Sequence, residues 1–156
     1  MYCLVLLFVF SLVFAVSTAQ AEVCGTSTPS LKGKFSTFSI GNNTLGLLKG
    51  KCTSGKERHE GAISGEILEQ PNPSTVISKH VLAIPGYGLL FTGPDILTVI
   101  GPDSMDPCIL HGEEEINIVG GTQDFANCVG SGFAEGTINI CTGENNFSYE
   151  AELICE

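Results

Sequence analysis

Near the end of the chain, Phe147, Tyr149, Ala151 and Leu153 alternate with Ser148, Glu150, Glu152 and Ile154. A period of two belongs to a β-strand with one face on a core and the other in solvent. Segments of strand composition recur at 35–40, 44–52, 62–68, 76–84, 88–92, 96–100, 114–119 and 133–141, bounded by Gly, Pro, Asn and Asp. No amphipathic helix of ordinary length interrupts them. Eight or nine short strands predict an all-β sandwich or barrel, and the strands alone do not choose between the two. Ile96-Leu97-Thr98-Val99-Ile100, enclosed by Gly93-Pro94-Asp95 and Gly101-Pro102-Asp103, has the composition of a buried strand.

The compartment is read from the first residues. Positions 2–16 are apolar apart from Ser11, and Ala19-Gln20-Ala21 has the small-x-small form of a signal-peptidase site. The run is shorter than the ~20 residues that span a bilayer. Residues 1–21 are therefore expected to be a signal peptide, and residues 22–156 a single secreted, extracellular domain with no membrane partner after cleavage. No Lys or Arg precedes the apolar run, which is atypical of such signals.

Beyond residue 21 lie Cys24, Cys52, Cys108, Cys128, Cys141 and Cys155. An even set in an oxidising compartment predicts disulfides, whose pairing counting cannot give. No pair has C-x-x-C spacing and no histidine stands at zinc-knuckle distance, so neither a metal nor a cofactor is expected. The turn at 142–146 joins the last two strands as a hairpin. Centred near Glu144, it sets Cys141 against the Phe147 region. Cys155 is then beyond the ~7 Å Cα reach of a bridge, and each is expected to pair elsewhere. Asn42 and Asn146 begin N-x-[ST] sequons and are candidate glycan sites on surface loops.

Charge is uneven. All seven Lys and Arg lie between Lys32 and Lys79, and the net charge is −10. That balance argues against nucleic acid and anionic membranes as partners. A solvated acidic surface is its plainest meaning.

One stretch carries more. In Ile116-Asn117-Ile118-Val119-Gly120-Gly121-Thr122-Gln123-Asp124-Phe125-Ala126-Asn127-Cys128-Val129-Gly130, a strand ends at a glycine pair. A compact turn follows, with Phe125 placed to plug the end of a core. The spacing is not that of a nucleotide-binding loop.

Gly120, Gly121, Thr122, Phe125 and Gly130 resemble the signature of the dirigent and allene oxide cyclase superfamily, over roughly 96–156. The resemblance implies an eight-stranded antiparallel β-barrel. It further implies a lumen for a small hydrophobic or aromatic ligand, a separate external oxidase as partner and frequent oligomers. The chain departs from the pattern at Gln123, usually Gly, and at Val129, where dirigent proteins carry an Arg that works with acidic residues on a phenolic intermediate. Asp124 falls where those proteins often have an acidic residue.

The remaining candidates come from single residues. His80 lies mid-strand; pointed into a barrel it would titrate near neutrality, and otherwise it is an ordinary strand histidine. His59 with Glu57 and Glu60 reads as an exposed turn after Ser54-Gly55-Lys56, and His111 as a loop residue. Asp95, Asp103, Asp106 and Glu113-Glu114-Glu115 offer oxygen ligands for Ca²⁺ without EF-hand spacing. Tyr87 and Tyr149 read as packing residues. Ser131 lacks the setting of a nucleophile elbow.

The leading expectation is a secreted dirigent-like or allene-oxide-cyclase-like barrel. It would bind a small hydrophobic or aromatic molecule and guide stereoselective coupling or isomerisation, with Asp124 and His80 as polar contacts. The alternative is a non-catalytic, disulfide-rich extracellular interaction protein whose barrel is filled by its own side chains.

Overall fold

A computed structural model describes residues 23–53 and 57–156; the expected signal peptide lies outside the described residues. Nine strands follow in order: β1 (Ser30–Ile40), β2 (Asn43–Cys52), β3 (Arg58–Asn72), β4 (Thr75–Ile84), β5 (Gly88–Thr92), β6 (Asp95–Pro102), β7 (Ile109–Gly121), β8 (Cys128–Asn139) and β9 (Glu144–Cys155). Among the described residues, no helix is long and apolar enough to cross a membrane.

All neighbours pair antiparallel, and β1 pairs with both β2 and β9, so the sheet closes into a barrel. It has eight staves because β5 and β6 share one position between β4 and β7. β5 pairs with Val81–Ile84 and β6 with Thr75–Ser78, the shared stave being interrupted at Gly93–Pro94.

Alternation sets the inner face. Leu31, Phe35 and Thr37 of β1 point inward, as do Phe147, Tyr149, Ala151 and Leu153 of β9. Phe35 and Phe147 stack with centroids 5.2 Å apart. The core they join includes Leu48, Ile63, Ile84, Leu90 and Ile118. The 96–100 segment is not the buried strand its composition suggests. Ile96 and Ile100 are exposed, and only the alternate residues turn inward. A one-layer barrel wall has a wet outer side, whatever the composition.

The glycine-paired turn folds as read. Gly120 has φ 146°, a region costly for other residues. A side chain on Gly121 would collide with the Leu89 carbonyl and with Phe125. Thr122 donates its N–H to the Leu89 carbonyl at 2.8 Å, and its Oγ1 accepts the Leu89 N–H at 3.0 Å. Phe125, 1 % exposed, closes that end of the core.

Three disulfides form: Cys24–Cys52, Cys108–Cys141 and Cys128–Cys155. Cys141 and Cys155 do pair elsewhere, but for a different reason from the expected one. The β8–β9 register sets Gly136 against Phe147, so Cys141 lies in the turn itself and not opposite the Phe147 region.

Candidate functional site

Inside the barrel, three ionisable side chains from three staves meet where the shared stave is interrupted. Two backbone donors beside the break are met by side chains. His80 N–H donates to Thr92 Oγ1 at 3.0 Å, and Asn117 N–H to Asp95 Oδ1 at 2.8 Å. Asp95, fully buried, accepts at its other oxygen from His80 Nδ1 at 2.9 Å and from the Thr92 hydroxyl. That carboxylate fixes the Nδ1–H tautomer of the imidazole. Glu114 on β7 is also buried; its Oε1 accepts from Ser78 Oγ at 3.0 Å and lies 3.9 Å from His80 Nδ1. Gly65 on β3 leaves room for the His80 ring, which a Cβ there would strike.

Burial disfavours the charged form of each group. For His80, burial lowers the pKa, yet the hydrogen bond to Asp95 and the charges of Glu114 and Asp95 outweigh it and raise the value above 6.5. For Glu114, burial and the Asp95 charge outweigh His80 and Ser78 and raise the carboxyl above 4.5. The cluster can hold a proton on His80 and retain one on Glu114, which is acid–base capacity.

Space is the limit. The void beside this cluster, bordered by Leu48, Ile63, Leu90 and Ile118, measures about 40 Å³. A water occupies ~30 Å³ of liquid, whereas a dry cavity of ~150 Å³ is needed for benzene. The lumen is a core with a small gap.

The roomier concavity is outside. A groove of about 1170 Å³ crosses the outer faces of β2, β1, β9 and β8. Lys32, Lys34, Lys49, Lys51 and Arg58 border it, with Phe133 on its far side. The registers set Lys32 opposite Lys51, Lys34 opposite Lys49, and Lys51 opposite Arg58. Like charges directly opposed across strands destabilise a sheet. Partial relief comes from an exposed Lys49–Glu60 ion pair at 3.3 Å and from Glu150 opposite Lys32.

The other expected residues disperse. Asp124 lies half-buried in the turn before Phe125, its N–H donating to the Tyr87 carbonyl at 3.1 Å, and forms no contact with His80. His59 is not on an exposed turn. It sits on β3, 5 % exposed, against Tyr87 and the Cys24–Cys52 bridge. His111 belongs to β7, not a loop, 3.4 Å from Asp103. The acidic residues weighed for Ca²⁺ separate. Asp95 and Glu114 face inward, Glu113 and Glu115 outward, and Asp103 and Asp106 accept the N–H groups of Met105 and Cys108. Asn42 is exposed in the β1–β2 turn, whereas Asn146 is exposed on strand β9 beside Ser36, not on a loop.

Glu114 was hidden in the sequence by its acidic neighbours, although a strand phase through Glu113-Glu114-Glu115 turns the middle residue inward. The cationic ladder also had a signal, Lys at i and i+2 in both β1 and β2. No protein-family model, curated protein or solved structure matches the chain.

Proposed function

We propose that this barrel is a non-catalytic binding module that takes an anionic polysaccharide along its outer groove, with the lumen serving as its core. The direct opposition of Lys32 to Lys51 and of Lys34 to Lys49 carries the reading. A chain of net charge −10 gathers five of its seven cations on this face, in an arrangement that costs sheet stability. Anionic groups lying between the ladders remove that repulsion. Along a strand, Lys32 and Lys34 stand about 7 Å apart, and neighbouring strands about 4.8 Å. The result is a grid of positive charge for sulfate or uronate groups on an extended chain. Phe133 offers a ring for the apolar face of a sugar, and Ser36, Asn146 and Ser148 add hydrogen-bonding groups.

Heparin oligosaccharide, with neutral dextran as control, tests the proposal by titration calorimetry. Heparin binds, weakening as salt rises, and Lys34→Ser/Lys51→Ser lowers its affinity by about tenfold or more, as expected for loss of close charge contacts. Equal affinity for dextran, or no effect of the double substitution, refutes it.

A second reading has its own support. Glu114 is buried and His80 nearly so, both hold a proton to higher pH than the free groups, and both border the lumen void, which suits a dirigent-like or cyclase-like barrel acting on a small hydrophobic or aromatic molecule. Such a ligand requires the apolar lining to give way. A radical-coupling assay with an external oxidase and chiral product analysis tests it. Product that stays racemic at every protein concentration rejects the coupling role.

A further inference from the structure

At the barrel end closed by Phe125, a buried imidazole lies against a disulfide. Cys52 ends β2, is 1 % exposed, and is bonded to Cys24 in a short 3-10 turn, Val23–Gly25. His59 enters from the neighbouring strand β3, where the register sets it opposite Gly50. Its Nε2 lies 3.1 Å from Cys52 Sγ, and its Nδ1 is buried with no hydrogen-bond partner. The ring meets Tyr87 edge-on with centroids 4.9 Å apart. Glu57 Oε2 lies 3.8 Å from Cys52 Sγ and accepts from Tyr87 Oη at 3.1 Å.

A disulfide sulfur is a poor partner for an imidazole, so the buried His59 Nε2 that faces it is only weakly satisfied. The groups present make better sense around a cation. Two thiolates, an imidazole and a carboxylate are the donors of a four-coordinate zinc site. Zn–S and Zn–N bonds of about 2.3 and 2.0 Å place neighbouring donors some 3.3–3.9 Å apart. The present S···N and S···O separations are 3.1 and 3.8 Å. The Cys24, Cys52 and His59 donor atoms already lie within 4.8 Å of one another. To complete the site the sulfur–sulfur separation has to open, and the exposed Glu57 carboxylate has to turn in from Tyr87 as the fourth donor.

We propose that Cys24, Cys52, His59 and Glu57 form a zinc site when the Cys24–Cys52 bridge is reduced, so that one locus alternates between a disulfide and a bound Zn²⁺. A small dithiol supplies the reduction. Its two sulfurs join to each other, two electrons and two protons pass to Cys24 and Cys52, and the S–S bond breaks. Zinc then displaces both thiol protons to solvent. Sequence spacing could not reveal the site, because its donors come from a terminal turn and two strands that only the barrel brings together.

The test uses Co²⁺ as a spectroscopic stand-in and Zn²⁺ for stoichiometry, on the full chain before and after reduction with a phosphine. The reduced chain takes up one equivalent of Zn²⁺, and its Co²⁺ form shows thiolate charge-transfer and tetrahedral d–d bands; the oxidised chain shows neither. Cys24→Ser abolishes the bands. His59→Gln shifts them and weakens affinity at least tenfold, no less than the loss of an outer-shell partner typically costs. Glu57→Gln, an exposed change that leaves the core untouched, weakens binding without removing the thiolate bands. Cys108→Ser/Cys141→Ser and, separately, Cys128→Ser/Cys155→Ser retain stoichiometric binding, which separates this site from thiols freed elsewhere. Failure of the reduced chain to bind metal, folded or unfolded, overturns the proposal. So does binding that survives Cys24→Ser or ignores His59→Gln.

Discussion

The Tyr149 hydroxyl occupies the space that a side chain at Gly50 would need. Gly50 on β2 faces inward, and a Cβ built there meets Tyr149 Oη first, with the ring carbon behind it at 3.3 Å. Gly50→Ala therefore overpacks the core, at a cost of about 1–3 kcal/mol by urea denaturation. Tyr149→Phe removes the colliding atom. The double variant is expected to recover part of the loss, and a purely additive pair would show that the two positions do not share that space. Burial also pushes the Tyr149 phenol up to about 12, so its ultraviolet titration should begin well above that of a free tyrosine.

Asp95 holds three donors from three staves: Asn117 N–H, His80 Nδ1–H and the Thr92 hydroxyl. Asp95→Ala strands all three beside the interrupted stave. A buried charge pair broken from one side costs about 3–5 kcal/mol, and chemical denaturation should show a loss of that order. Asp95→Asn keeps the Asn117 acceptor and should lose less.

His80 and Glu114 make stability depend on pH in one direction. Both have folded values raised, His80 above 6.5 and Glu114 above 4.5. The native state binds more protons than the unfolded chain over those windows, so their contribution is full below the ordinary values and lost as pH rises through the folded ones. His59, whose burial lowers it below 6.5 against the pull of Glu57, acts oppositely as pH falls. Above 6.5 the raised His80 sets the sign. Melting temperature should fall as pH rises from 6.5, and the slope should flatten in His80→Gln. A wild-type slope of the opposite sign would contradict the cluster's assignment.

Lys51 faces Lys32 on one side and Arg58 on the other. Lys51→Glu replaces two repulsions by two attractions, worth about 0.2–1 kcal/mol per pair at low salt. Thermal unfolding should therefore move upward while heparin affinity falls. Opposite movement of stability and binding in one variant is the signature expected of a face kept charged for a ligand.

Alternation made the strands legible, and the inward set of β9 was readable from Phe147 to Leu153 without coordinates. The glycine pair and Phe125 were readable too, since backbone sterics and one large side chain leave few options at such a turn. The split stave was not, because 88–92 and 96–100 look like separate strands until both are seen against β4. His59 was misread for a related reason. Its neighbours Glu57, Arg58 and Glu60 are polar, and the inward phase of a short polar strand is invisible without its partner. The hairpin register failed by a small shift of the turn, enough to move Cys141 from a strand into the bend while leaving the conclusion about its pairing intact. Asp95 looked like a turn residue after Pro94, and only the interruption beside it explains why a carboxylate belongs in the core.

Because β1 hydrogen-bonds to β9 as well as to β2, the first and last strands of the wall cover each other's amide and carbonyl groups. Along that seam another polypeptide cannot add itself by main-chain zippering, the least selective way for β-proteins to associate. Whatever adheres across that seam must be chosen by what its outward side chains offer, so recognition there can be rewritten one substitution at a time without disturbing the wall that displays it.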